Sequence, residues 1–444
     1  MKIAIVGAGW AGLAAAVQAT RAGHATVVFE AARSLGGRAR AMRHTGPDGE
    51  TSLLDNGQHI LIGAYTETLR LMAEVGVDAK RSLLRMPLAL RFADGTGLAC
   101  PDWPAPFDAL AGILGARGWT WRDKLGLLAC TARWRRDGFR CHPASSVAQL
   151  CRGLSATVMN EMIEPLCASA LNTAAAEASG QVFLRVLQDS LLGPRGSSHL
   201  LIPRVDLGSL FPVPAAAWLA RRGADIRLGD RVQSLARQGN RWLVRSADAE
   251  AAFDAVLLAC PSWEAARLVR GADADGTAGW LRRADALAFE AITTVYATST
   301  TGLGQAMLAL RSGPDAPAQF VFDRRRIGVA DTRATRPSRP GVLAFVVSVS
   351  RGDRETLERQ VLAQGRAQLG LDDLVPCQTV VEKRATFACT PGLERPAMAI
   401  APGLLACGEY VDGPYPGTLE GAVRSGVSAA RAIAPTAPPH PPIP

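Results

Sequence analysis

The first residues in the chain that could do chemistry are three glycines and an acid. The glycines are Gly7, Gly9 and Gly12, and Glu30 follows 18 residues after the last of them. Glycines at this spacing form a tight turn whose backbone N–H groups can approach a pyrophosphate, and a helix that begins there points its positive end at the phosphates. An acid at this distance can accept hydrogen bonds from a ribose. The pattern predicts a dinucleotide site; a glycine turn in some other α/β protein is the alternative.

A strand, a helix and a second strand would position these residues. An apolar run over residues 2–6 precedes the glycines, and an alanine-rich helical pattern continues to Gly23. A second apolar run, residues 25–29, ends at the acid. This order of elements is typical of a Rossmann-type parallel sheet.

A glycine pair and an arginine follow the acid directly. They are Gly36, Gly37 and Arg38. Glycines let the chain pass close to a diphosphate, and an arginine can bind it through two N–H groups. The stretch resembles the second fingerprint of flavoproteins of the amine oxidase and phytoene desaturase superfamily, in which the matching residues contact FAD. The resemblance implies FAD, not NAD, as the cofactor; a solvated basic loop is the alternative.

A second strand-and-helix unit lies near the end of the chain. The buried run 404–407 leads to Gly408 and Glu409, and a turn leads through Gly417 to a helix that starts at Thr418 and Leu419. A helix N-terminus stabilises negative charge on a reduced flavin. By the same resemblance, Glu409 binds the ribityl chain or the diphosphate and the backbone N–H of Leu419 lies at the flavin. The resemblance also implies that the backbone of Val232 contacts adenine.

Polar residues interrupt an apolar frame shortly after the second fingerprint. They are Asp55, Asn56, Gln58 and His59. Such side chains must either find partners or line a cavity. In the superfamily this part of the chain passes along the isoalloxazine ring, which implies that Gln58 or His59 lies there. An internally satisfied turn is the alternative.

Composition limits the class of protein. With 444 residues, 48% hydrophobic and 20% charged, the chain can bury a substantial core. Its net charge of +9 favours anionic partners, but the arginines are scattered and no nucleic-acid motif accompanies them, so we expect no nucleic acid to bind. The nine cysteines include no CxxC pair, which argues against a zinc site or a disulfide framework and favours the cytosol. We expect neither a signal peptide nor a membrane-spanning helix.

Together these features predict an α/β fold with two domains. The first is a Rossmann-type FAD-binding domain built on a parallel sheet, over residues 1–85, 204–265 and 390–434. The second is an inserted α+β substrate domain over residues 86–203 and 266–389. The proline-rich residues 435–444 are predicted to be a disordered tail.

A helical stretch over residues 107–136 is rich in tryptophan and arginine. The tryptophans are Trp119, Trp121 and Trp134, among Arg117, Arg122, Arg133, Arg135 and Arg136. Aromatic and basic residues on one helix predict peripheral contact with the inner face of the cytoplasmic membrane. Helices that cap a substrate domain have the same composition and are the alternative.

Five stretches along nearly the whole chain resemble one family within the superfamily. They are residues 7–40, 53–72, 164–193, 200–219 and 413–426. These stretches are similar to the squalene-associated FAD-dependent desaturases, understood as hydroxysqualene dehydroxylases of bacterial hopanoid synthesis. The resemblance implies reduction of hydroxysqualene to squalene by FADH2, with the hydroxyl leaving as water, and association with the synthases that make the substrate.

The implied reaction calls for a proton donor and an apolar tunnel. The candidate donors are His59, Asp55, Glu164 and Tyr415, and residues 171–192 and 287–299 could line the tunnel. A carotenoid desaturase or isomerase remains an alternative function. An amine or protoporphyrinogen oxidase is another, although a chain with four tyrosines has little material for an aromatic amine cage. The last alternative is a non-catalytic protein that binds FAD and acts as a partner of a prenyl synthase.

Overall fold

The chain folds around a parallel sheet that takes its strands from three distant parts of the sequence. A computed structural model describes residues 1–46, 49, 51–272, 274–328 and 340–433. The predicted disordered tail, residues 435–444, lies outside the described residues.

The strands in chain order are β1 Lys2–Val6, β2 Ala25–Glu30, β3 Ala41–Thr45, β4 Thr51–Asp55, β5 Leu61–Ile62, β6 Leu83–Met86, β7 Ala89–Arg91, β8 Gly97–Ala99, β9 Leu200–Pro203, β10 Asp225–Leu228, β11 Val232–Gln238, β12 Arg241–Ser246, β13 Glu250–Phe253, β14 Ala255–Leu258, β15 Phe289–Ser299, β16 Met307–Ala309, β17 Phe320–Asp323, β18 Gly341–Val347, β19 Val375–Phe387, β20 Ala399–Ala401 and β21 Leu404–Ala406.

The helices are α1 Trp10–Arg21, α2 Thr66–Glu74, α3 Ala79–Ser82, α4 Phe107–Leu114, α5 Trp121–Arg136, α6 Val147–Leu150, α7 Ala156–Val158, α8 Glu164–Leu171, α9 Gly180–Leu191, α10 Leu207–Leu210, α11 Pro212–Ala220, α12 Ser262–Gly271, α13 Ala278–Asp285, α14 Arg324–Ile327, α15 Arg354–Leu369 and α16 Leu419–Ile433. A π-helical turn, Met159–Ile163, joins α7 to α8.

The central sheet has six strands in the order β10-β2-β1-β14-β21-β20. All neighbours are parallel except the edge strand β20, which is antiparallel to β21. Its inner strands β1 and β14 are almost wholly buried because helices or other layers cover both faces of the sheet. The predicted α/β fold with a Rossmann-type parallel sheet is confirmed, whereas the predicted domain boundaries stay a prediction.

A second sheet of five strands, β16-β17-β18-β15-β19, is antiparallel throughout. Five consecutive residues of its long strand β15 are buried, so both faces of this strand are covered, and α15 packs against the sheet through Leu357 and Val361. A small antiparallel sheet, β5-β9-β6, follows the glycine-pair region of the chain and precedes α10.

The first and last helices pack closely against each other beside the central sheet. A Cβ atom on Gly426 of α16 would lie 2.1 Å from the carbonyl oxygen of Ala11 in α1. Only glycine fits there, and the approach brings the N-terminal ends of both helices to the same side of the sheet. The apolar core on this face also includes Leu13, Val17 and Val427.

The tryptophan-rich region differs from its prediction. Trp119 and Trp134 are buried, at 7% and 4% exposure, while Trp121 is 67% exposed. The indole N–H of Trp119 donates to Glu161 Oε2 at 2.9 Å, inside the fold. The interpretation of all three tryptophans as one surface group is therefore wrong for two of them, because Trp119, in the loop between α4 and α5, and Trp134, on α5, pack inside the fold.

Candidate active site

The predicted nucleotide residues gather at one edge of the central sheet. Gly7 follows β1, Glu30 ends β2, and Gly408 follows β21 within two residues. Since these strands are parallel, their carboxyl ends lie along the same edge, where ligands of such sheets bind. The structure thus brings together Gly7 and Gly408, which are 401 positions apart in the chain.

The glycine turn has the close contacts that its spacing predicts. Gly7 has a φ of 111°, a conformation that L side chains rarely adopt. A Cβ atom on Gly12 would lie 1.9 Å from the carbonyl oxygen of Gly7. Among the described side chains, none caps the N-terminus of α1 at Gly9. Its backbone donors therefore remain available to an anionic group.

Glu30 holds the glycine turn against the end of β2. Its Oε2 accepts a hydrogen bond from the backbone N–H of Ala8 at 2.7 Å, and its Oε1 accepts one from Ala32 at 2.8 Å. Each carboxylate oxygen can accept further hydrogen bonds. Both an ordering role for the turn and the predicted ribose contact are compatible with this geometry, and the ribose contact stays a prediction.

The glycine pair packs directly onto the glycine turn. The backbone N–H of Gly36 donates to the carbonyl of Ala8 at 3.0 Å. Gly37 has a φ of 61°, and a Cβ atom there would lie 3.3 Å from the Cα of Gly9. The two fingerprints therefore form one cradle of backbone, with little room for side chains.

Arg38 and Glu409 form an ion pair across this cradle. Arg38 Nη2 lies 2.6 Å from Glu409 Oε1, and Nη1 of the same arginine donates to the carbonyl of Ala385 at 3.1 Å. The pair joins the second fingerprint, the end of β21 and the strand β19. Sequence reasoning predicted each residue as a cofactor ligand but did not predict that they bind each other.

Asn56 is a site residue whose role sequence reasoning missed. Its side-chain amide donates to the carbonyl of Arg38 at 2.8 Å, and its Oδ1 accepts from the backbone N–H of Arg40 at 2.9 Å. This buried side chain fixes the backbone on both sides of the arginine. The signal was present, since Asn56 is one of the polar residues in the apolar frame.

The N-terminus of α16 is built as the sequence predicts. Gly417 has a φ of 68°, and Thr418 Oγ1 accepts from the backbone N–H of Gly421 at 3.0 Å as an N-cap. A Cβ atom on Gly421 would lie 2.1 Å from the carbonyl of Tyr415. The turn and helix start are thus tightly specified, while the contact of Leu419 N–H with a flavin stays a prediction.

Val232 lies near the acid. β10 pairs with β2 so that Leu228 is opposite Glu30, and Val232 begins the next strand four residues later. It is buried, and its carbonyl accepts a hydrogen bond from Arg267 Nη2 at 3.1 Å. Its backbone is therefore partly engaged, and its adenine contact stays a prediction.

Gln58 and His59 lie against the second sheet. The backbone N–H of Gln58 faces Thr294 Oγ1 of β15 at 3.4 Å. Gln58 Oε1 is buried and has no hydrogen-bond partner among the described residues. His59 Nδ1 donates to the carbonyl of Gly57 at 2.8 Å, and burial lowers the pKa of its ring below the ordinary 6.5. His59 is therefore neutral at pH 7, with Nε2 as an acceptor.

Asp55 and Tyr415 occupy different surroundings. Asp55 is 3% exposed, and its Oδ1 accepts from the backbone N–H of Leu207 at 2.8 Å, so it holds the start of α10. Burial raises its pKa to about 7. Tyr415 packs edge-on against Tyr65, with 6.0 Å between ring centroids, and burial and the nearby Asp189 raise its pKa to about 12. The structure does not bring Asp55 into an open site, and catalytic roles for both residues stay predictions.

These residues fit FAD. The cradle of Gly7, Gly9, Gly36 and Gly37 leaves backbone donors for a diphosphate, and the start of α16 adds a second helix N-terminus. The unpartnered Gln58 Oε1 offers an acceptor to a bound N–H or O–H group. Arg38, Glu30 and Glu409 are the charged side chains of this site, and their contacts with FAD stay predictions.

A separate cleft lies where α12 and α13 meet the strands β15 and β19. It has a volume of about 410 Å³ and is lined by Ser262, Trp263, Ala284, Asp285, Leu287, Phe289, Lys383 and Arg384. Three of these residues are charged, so the cleft differs from the apolar tunnel predicted for residues 171–192 and 287–299. That tunnel stays a prediction. Over the described residues, no helix combines the length and apolar character needed to cross a bilayer.

Comparison with known proteins defines the class. The chain belongs to the flavin containing amine oxidoreductase family, whose pattern matches residues 10–434. It is an FAD-dependent oxidoreductase, as the sequence predicts. A solved oxidoreductase from Methanosarcina mazei has the same fold, with a TM-score of 0.72 and 16% identity over 97% of this chain and all of that one.

Within the family, two curated relatives differ in how much of the chain they match. Hydroxysqualene dehydroxylase from Rhodopseudomonas palustris is 28% identical over 96% of both chains. The 15-cis-phytoene desaturase from Synechococcus elongatus is 32% identical, but over 30% of this chain and 29% of its own. The resemblance to the hydroxysqualene dehydroxylases is therefore confirmed, since the relative from Rhodopseudomonas palustris matches 96% of the chain.

Proposed function

We propose that this protein reduces hydroxysqualene to squalene. The observation that carries the proposal is the full-length similarity to a hydroxysqualene dehydroxylase, set against the partial similarity to a carotenoid desaturase. The FAD site supports it, since the reaction requires a two-electron donor. Carotenoid desaturation is the second candidate, supported by the 30% of the chain that is similar to the phytoene desaturase.

The reaction requires a hydride and a proton. The C–O bond of the alcohol breaks, a C–H bond forms in its place, and the oxygen leaves as water after taking a proton. When bound, reduced FAD supplies the hydride and is oxidised. The chain must therefore hold the substrate hydroxyl, exclude bulk water and provide the proton.

The turn that carries Gln58 and His59 is our candidate for the place where the hydroxyl binds. It follows the second fingerprint in the chain and lies against β15 of the second sheet, and it offers two neutral polar groups in an apolar frame. Gln58 Oε1 can accept a hydrogen bond from the hydroxyl. Protonated His59 would donate through Nε2, since Nδ1 already donates to Gly57.

The predicted role of His59 has a pH dependence. The ring donates a proton only in its charged form, and burial lowers its pKa below 6.5. We therefore expect kcat/KM to rise as the pH falls through this lowered pKa, and to level off below it. In His59→Gln this acid limb should disappear while FAD content is unchanged. If His59→Gln keeps the pH profile of the wild type, another group donates the proton.

The reaction itself can be tested without knowing the physiological reductant. Dithionite-reduced protein, incubated without oxygen with hydroxysqualene in detergent micelles, should yield squalene in lipid extracts over many turnovers. Oxidised protein is the matched control and should yield none. Unchanged hydroxysqualene together with desaturation of phytoene would favour the second candidate. A protein that binds a prenyl synthase but turns over neither substrate would be a non-catalytic partner.

The substrate also bears on where the protein works. We propose a cytoplasmic protein that associates peripherally with the inner face of the membrane, because a C30 isoprenoid partitions into lipid. Association with the synthases that make hydroxysqualene is part of this proposal. Co-purification of a synthase with the tagged protein from its own cells would support this association. An unrelated tagged protein, washed with high salt in the same way, is the control and should retain no synthase.

A further inference from the structure

A cluster of large apolar side chains is exposed at the surface around α4 and the start of α5. Six residues within 23 positions of the chain are 39% to 67% exposed. We refer to them as the α4–α5 face: Trp103, Phe107, Leu110, Leu114, Trp121 and Leu125. Single exposed apolar residues are ordinary, but a group of this size on adjacent helices is typical of a docking site.

The helices align these side chains on one surface. Phe107, Leu110 and Leu114 are spaced three and four apart, so they share one face of α4, while Ile113 points inward and is buried. Trp121 and Leu125 are four apart on α5 and share one face in the same way.

Lys124 connects the two helices. Its Nζ donates to the carbonyl of Leu114 at 2.8 Å, at the end of α4. The same ammonium lies 5.1 Å from the ring centroid of Trp121. The apolar stripe of α4 therefore continues into that of α5, and one positive charge lies at the junction.

The exposed charges between Trp103 and Leu125 are all positive, and Asp102, exposed just before Trp103, pairs with Arg195 at 3.3 Å. Between Trp103 and Leu125 the two acids, Asp108 and Asp123, are both buried. Asp108 accepts from Ser198 Oγ at 3.1 Å, and Asp123 closes the capping box of α5 with Thr120. The exposed charges of the stretch are therefore Arg117 and Arg122, with the half-buried Lys124 as a third cation.

We propose that the α4–α5 face docks the protein onto a lipid bilayer that carries anionic headgroups. Apolar and tryptophan side chains inserted at the interface, with cations beside them, are the pattern of interfacial helices. A second copy of the chain fits less well, because a two-fold dimer through this face would place cations against cations. The inference assigns a surface to the peripheral location proposed above, and rests on that proposal; it does not depend on which isoprenoid is the substrate.

Vesicle sedimentation tests the proposal with the FAD-loaded protein. Wild-type protein should bind vesicles of phosphatidylcholine with phosphatidylglycerol and bind pure phosphatidylcholine much more weakly. Trp121→Glu with Leu125→Glu should weaken binding at least tenfold, as two inserted side chains become charged. Arg117→Gln with Arg122→Gln should weaken it by about 25-fold, since each cation near the surface contributes roughly fivefold.

Val375→Glu is the matched control, because Val375 is 58% exposed at the start of β19, away from this face. It should bind like wild type, and all variants should keep their FAD content and thermal midpoint. Wild-type protein that fails to bind the anionic vesicles overturns the proposal, as does equal loss in Val375→Glu. The proposal is also overturned if wild-type protein forms a dimer and does not bind vesicles, and if Trp121→Glu with Leu125→Glu dissociates that dimer. Turnover in detergent micelles tests the proposed reaction separately.

Discussion

Replacing Glu30 with alanine is expected to release FAD from the protein. The carboxylate accepts hydrogen bonds from the backbone N–H groups of Ala8 and Ala32, so it holds the glycine turn in place as well as offering acceptors to a ribose. Losing charge-assisted hydrogen bonds of this kind costs about 3 kcal/mol, or roughly 100-fold in affinity. Flavin absorbance after gel filtration, and titration of the apoprotein with FAD, would measure the loss.

Two variants serve as controls for this result. Glu250→Ala removes an acid that pairs with Arg245 at the surface and should leave FAD bound. Glu30→Gln keeps an acceptor oxygen and should retain part of the affinity. Glu30→Ala protein that elutes with a full complement of FAD would contradict both roles of the carboxylate.

Replacing Glu420 with alanine is expected to destabilise the fold more than any surface change. Glu420 is fully buried, and its carboxylate accepts from the backbone N–H groups of Glu67 and Thr68, from Thr68 Oγ1 and from Arg424 Nε. Removing it leaves these donors without their acceptor. We expect the free energy of unfolding to fall by about 4 kcal/mol, measured by urea denaturation of the FAD-loaded protein.

A surface ion pair gives the comparison. Glu264 pairs with Arg267 on α12, where both side chains retain contact with water. Glu264→Ala should therefore cost at most about 1 kcal/mol. If the two variants unfold at the same urea concentration, the buried carboxylate does not join α2 to α16 as we infer.

The nucleotide half of the site could be predicted because its signals are local. Gly7, Gly12 and Glu30 belong to one continuous strand–turn–helix–strand unit. At each of the two glycines a side chain would collide with the backbone of that unit or of the residues that follow the neighbouring strand β14. At the start of α16 the positive φ of Gly417 and the N-cap hydrogen bond of Thr418 are local in the same sense. Backbone geometry that depends on neighbours in sequence can be derived from the order of residue types.

The partners of the polar residues could not be predicted in this way. Asp55, a catalytic candidate, accepts a hydrogen bond from the N–H of Leu207, 152 positions away. Glu420 binds Thr68 across 352 positions, and no local pattern distinguishes it from a surface acid. A polar residue in an apolar frame shows that a partner exists, but long-range packing decides whether the partner is protein or ligand.

The sequence by itself determined the parallel sheet and the two glycine-rich fingerprints, because these depend on turn geometry and on the order of elements. The choice of FAD came from the resemblance of the second fingerprint to that of known flavoproteins. Only the tertiary structure decided which side of each helix faces outward. Trp121 and Trp134 are 13 residues apart on α5, about 220° around the helix axis, so they lie on different faces. The pattern allows either face to be buried, and packing of α5 against its neighbours buries Trp134 and exposes Trp121.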